Sequence, residues 1–122
     1  LTPEEAFEMH INKIRDLSSF KNEENDFWEE YKKLNHDELG IPEDIYEGYK
    51  MIWENRTWYD VLGYNNIYIN LDEFRKRFHK KYPAIKKINK SIYLKLSKEF
   101  NLPKYPMEYY RLNKINDYND LL

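Results

Sequence analysis

The chain has 122 residues, 41% of them apolar, with 12 Tyr, 6 Phe and 3 Trp, enough for one modest core rich in aromatic rings. It has no cysteine, which excludes disulfides, thiolate chemistry and Cys-based zinc sites. The net charge of -2 conceals a division: 16 acidic against 7 basic residues up to Asp60, then 6 acidic against 13 basic from Val61 onward.

From the N-terminus, Thr2, Pro3 and Glu5 read as a helix start, with Thr as cap, Pro at the first helical position and Glu closing a capping box. Phe7, Ile11 and Ile14 follow at helical spacing. Asn25 or Asp26 caps a second helix with Phe27, Trp28, Tyr31 and Leu34 on one face, and Asn35 to Leu39 reads as a loop running into Gly40-Ile41-Pro42. Pro42 opens a third helix with Ile45, Tyr49 and Ile52 inside. Thr57, Trp58, Val61 and Leu62 make a very short fourth, closed by Gly63.

Tyr64 to Ile69 reads as an extended linker. Asn70 with Glu73 offers a new capping box for a helix striped by Leu71, Phe74, Phe78 and Tyr82 and ended by Pro83. Ile92, Leu96 and Phe100 mark the next helix, followed by the proline-bearing loop Leu102 to Pro106. Met107, Tyr110 and Leu112 come after it, and the chain closes on Asp117, Tyr118, Asp120, Leu121 and Leu122.

This order of elements occurs twice. Ile41-Pro42 matches Leu102-Pro103, Tyr49-Lys50 matches Tyr110-Arg111, and Trp58, Asp60, Val61 and Leu62 match Tyr118, Asp120, Leu121 and Leu122. The expectation is an all-α chain of two tandem, divergent helical modules packed into one body: an acidic first repeat over 1–63, a linker over 64–70 and a basic second repeat over 71–122.

The first copy resembles the phage-integrase repeat family, through Pro3-Glu4-Glu5-Ala6, Phe27-Trp28-Glu29-Glu30-Tyr31, Ile41-Pro42, Tyr46, Tyr49-Lys50, Trp53 and Trp58-Tyr59-Asp60-Val61-Leu62-Gly63. The second copy shares the pattern only at Glu73-Phe74 and from Leu102-Pro103 onward, with Tyr118 at a tryptophan position. The resemblance implies a small helical repeat in or beside integrase-like proteins that contacts DNA, and it carries over no catalytic residue.

From Phe74 to Lys98 there is no acidic residue. Arg75, Lys76, Arg77, Lys80, Lys81, Lys86, Lys87 and Lys90 are the candidate nucleic-acid contacts, with Lys95 and Lys98 beyond them. Lysine and arginine docked on phosphates release counterions. The helical stripe predicts that Arg75, Lys76 and Lys80 face outward, with Arg77 and Lys81 to one side. The alternatives are a solvated lysine face and a self-association module in which an acidic first repeat meets a basic second repeat.

No enzymatic activity, metal or cofactor is expected. His10, His36 and His79 lack zinc-helix spacing, and the cluster Glu23, Glu24, Asp26, Glu29 and Glu30 reads as a charged first helical turn. Tyr109 and Tyr110 lack the arginine and histidine set of a recombinase. Pro103-Lys104-Tyr105-Pro106 has polyproline-ligand spacing in a structural loop, and Trp28, Trp53 and Trp58 are expected in the core.

No apolar run approaches the ~20 residues of a membrane span and no signal-peptide pattern is visible, so a soluble, intracellular protein with no membrane partner is expected. The expected partner is nucleic acid, DNA in preference to RNA. The start at Leu1 and the stop on Leu121 and Leu122 in mid-pattern suggest a piece of a longer protein. The wealth of Lys, Asn, Ile and Tyr points to a viral or AT-rich genome.

Overall fold

Thr2 Oγ1 accepts from the Glu5 amide at 3.2 Å while Glu5 Oε1 accepts from the Thr2 amide at 3.1 Å. This closes the capping box of α1, Pro3–Arg15, whose inner stripe Phe7, Ile11 and Ile14 is buried. The structure, a computed structural model, describes residues 1–122, and its regular elements are all helical. It divides into two compact units, Leu1–Tyr64 and Asn65–Leu122.

In the first unit α1 is followed by a 3₁₀ turn, Ser18–Phe20, then α2, Phe27–Lys32, and α3, His36–Leu39. After these come α4, Ile45–Gly48, α5, Lys50–Trp53, and α6, Trp58–Val61. Asp26, not Asn25, caps α2. The stretch 35–39 is not a loop: Asn35 Oδ1 accepts from the Glu38 amide at 3.1 Å and starts the single turn of α3. The expected helix from Pro42 instead begins at Ile45 under an Asp44 cap. It breaks at Tyr49, whose backbone (φ -133°, ψ 39°) is not helical. The core is aromatic: Trp53 meets Phe7 edge-on at 5.2 Å, and Phe27 lies 5.9 Å from the Trp53 ring.

The second unit has α7, Leu71–Lys81, α8, Lys90–Phe100, and α9, Pro106–Tyr109, then 3₁₀ turns at Arg111–Asn113 and Tyr118–Leu121. Leu71, Phe74, Phe78, Ile88, Tyr93 and Leu96 lie in its buried cluster with Leu102, Tyr110, Ile115 and Leu121. Residues 65–70 are bonded into this unit. The Asn101 side-chain amide donates to Ile67 O at 3.1 Å, and the Ile69 amide donates to Asn101 O at 3.2 Å. Tyr64, by contrast, donates from its hydroxyl to Phe20 O in the first unit at 3.1 Å.

The same local devices serve both units. Gly40 and Asn101 both stop a helix in the left-handed region, at φ 66° and 56°. After them Ile41 N–H reaches His36 O, and Leu102 N–H reaches Ser97 O, both at 3.0 Å. The Tyr31 hydroxyl donates to Pro42 O, and the Tyr93 hydroxyl to Pro103 O. Thr57 and Asp117 each cap the last helical turn, accepting from Asp60 N and Asp120 N. From Tyr31 to His36 is one residue longer than from Tyr93 to Ser97, and there α2 and α3 are separated while α8 runs unbroken.

Candidate nucleic-acid interface

The basic run occupies α7, the loop 82–89 and α8, and each part is held by identifiable bonds. Asn70 Oδ1 accepts from the Glu73 amide at 2.8 Å to start α7. Acidic Asp72 and Glu73 sit in the first turn of that helix, with His79, Lys80 and Lys81 in the last. That order suits the helix dipole, so the cations at the end of α7 have a structural use of their own. The loop is anchored by buried Ile88, whose amide donates to Asn119 Oδ1 at 2.8 Å. Asn89 then caps α8, accepting from Ile92 N at 2.9 Å.

Three of the eight candidates are engaged within the unit. Arg75 is not an outward-facing contact: it is half-buried, donating from Nη2 to Asp120 O at 2.8 Å and from Nε to Leu121 O at 3.3 Å. Its guanidinium thereby satisfies carbonyls of the closing 3₁₀ turn. Arg77 pairs with Glu73 one turn back at 2.7 Å. Lys81 pairs with Glu99, which also accepts from the Tyr82 hydroxyl. Those hydrogen bonds hold the Glu99 carboxyl below its ordinary range, Lys81 contributing first and Tyr82 second. Glu99 is the acid immediately after the acid-free run, and sequence spacing gives no sign that it folds back onto Lys81.

Lys76, Lys80, Lys86, Lys87 and Lys90 are exposed and form no ion pair. Lys86, Lys87 and Lys90 flank the start of α8, a helix with no acidic residue in its first turn. Cations at that positive end oppose the helix dipole, the reverse of the arrangement on α7. Lys76 stands at the edge of a polar concavity of about 480 Å³ with Asn66, Tyr68, Asn70, Asp72 and Tyr109 around it. There Tyr68 and Tyr109 meet edge-on at 5.3 Å.

The remaining sequence candidates are placed as follows. Trp53 and Trp58 are buried, whereas Trp28 is half-exposed. Tyr110 is buried at 2% exposure, and burial raises its hydroxyl pKa well above the ordinary tyrosine value. Pro103 and Pro106 are buried, so that loop offers no proline face to a partner. His36 and His79 bond to the carbonyls of Tyr31 and Leu122 at 2.8 and 2.9 Å, and no group of three or more His, Asp or Glu side chains is arranged to hold a metal ion. No helix is long and apolar enough to cross a membrane. No known protein family, curated protein or solved structure matches this chain.

Proposed function

We propose that this chain is a non-enzymatic nucleic-acid-binding module, DNA being preferred to RNA, made of two divergent copies of one helical repeat related to the phage-integrase repeat family. The second unit does the binding. The observation that carries this reading is that Lys86 and Lys87, in the loop before α8, and Lys90, at its first position, are all exposed and without ion pairs. A cation set against the positive end of its own helix is relieved by an external anion such as phosphate. Lys76 and Lys80 extend the positive surface along α7. The two-copy reading is supported by the paired tyrosine-to-proline bonds and the two left-handed helix stops described above.

Of the candidates named from sequence, these five lysines bind phosphate in this reading. Arg75, Arg77 and Lys81 hold the scaffold. Binding of the purified chain to duplex DNA, single-stranded DNA and RNA, measured in parallel, tests the proposal. Micromolar or tighter affinity at low salt, strongest for duplex, is expected, and changing Lys86, Lys87 and Lys90 to Gln should weaken it about tenfold or more. Absence of binding to all three polymers would overturn it.

A further inference from the structure

The first unit holds a concavity of opposite character. It encloses about 420 Å³ and is lined by Trp28, Tyr31, His36, Glu43, Asp44 and Ile45, with Lys32 at its rim. Trp28 is the only tryptophan not buried. Its ring is fixed by edge-on contacts to Phe27 at 4.8 Å, Trp53 at 5.1 Å and Tyr46 at 5.8 Å. The walls are pinned as well. Tyr31 is tied through its hydroxyl to Pro42 O, His36 to Tyr31 O at 2.8 Å, and Asp44 by capping Glu47 N at 2.9 Å.

The charges in this site are left over from folding. The Glu43 carboxylate makes no hydrogen bond or ion pair, and Asp44 uses one oxygen for its cap. Lys32, on the lining, is paired with Glu29 at 3.3 Å rather than with Glu43 or Asp44. An aromatic wall beside two carboxylates, in a unit with 16 acidic and 7 basic residues, suits a cation that is also planar and weakly hydrated. We propose that this concavity is a binding site for the guanidinium of an arginine side chain presented by a partner peptide. The guanidinium lies against Trp28, and its N–H groups donate to Glu43 and Asp44.

The test is an NMR titration of the isotopically labelled full chain with acetyl-Gly-Arg-Gly-amide and, as control, the same peptide with norleucine for arginine. Saturable shifts at the Trp28 indole N–H and at the amides of residues 43–45 are expected with the arginine peptide alone. The double variant Glu43→Gln/Asp44→Asn keeps side-chain size and the Asp44 cap, and it should weaken the arginine peptide about tenfold or more. No saturable shift at Trp28, equal binding of the norleucine peptide, or undiminished binding by the double variant would each overturn the proposal.

Discussion

Tyr31 and Tyr93 carry a hydroxyl into the interior of their units and spend it on one carbonyl each, that of the proline after the helix stop. Replacing either by Phe leaves a shielded acceptor without a donor, so Tyr31→Phe and Tyr93→Phe should each cost about 1–3 kcal/mol in denaturant unfolding. His10 supplies a pH signature at the same scale. Burial first, and Lys13 second, lower its pKa below the ordinary 6.5, partly offset by the Gly40 backbone beside it. The unfolded chain therefore binds the proton more readily. The contribution of His10 is fully present above the ordinary histidine value and is lost as pH falls through the lower folded value. The unfolding midpoint should decline as pH falls below the ordinary histidine value of 6.5, and His10→Gln should flatten that decline. Apolar spacing made the buried stripes of α1 and α7 readable, whereas the Arg75 contact was not. It depends on a turn 45 residues further on, whose free carbonyls no local pattern reveals.

Among elements, capped helices with a clear stripe were legible, as was the single turn of α6 after its Thr57 cap, whereas the single turn of α3 and the break between α4 and α5 were not. Thr2, Asp26 and Asn70 announce α1, α2 and α7 by residue type. The single turn of α3 has no buried residue and so no apolar signal, and at the break the Tyr49 ring meets Phe7 edge-on at 5.3 Å, a contact across the fold that local spacing does not encode. Gly40 is required by its left-handed backbone, and a Cβ there would also meet Lys13 Nζ at 3.1 Å. Gly40→Ala should cost roughly 1–2 kcal/mol, read as a lowered unfolding midpoint. The start of α8 makes the opposite kind of prediction. Lys90→Glu places an acid at the positive end and should stabilise the free protein by about 0.3–1 kcal/mol while weakening nucleic-acid binding. A variant that is both less stable and unchanged in binding would contradict the role given to that helix start.

At the scale of the whole molecule, the charge division was visible in the sequence, but its use was not. The acid-free run contains both scaffold cations and free ones, and only the fold separates Arg77 and Lys81, paired with Glu73 and Glu99, from Lys86, Lys87 and Lys90. The same division underlies the rival reading, in which the acidic unit of one copy meets the basic unit of another. That reading requires salt-sensitive association without nucleic acid. The proposed function requires a binding constant for DNA that depends on the free lysines. The most direct measurement is the slope of log K against log salt concentration for duplex DNA, compared between the wild-type chain and a variant with Lys76, Lys80, Lys86, Lys87 and Lys90 changed to Gln. The phosphate-binding role of these lysines predicts a steep wild-type slope that shallows by up to about 0.9 for each phosphate contact removed. An identical slope in the two proteins, or no binding by the wild type at low salt, would contradict it.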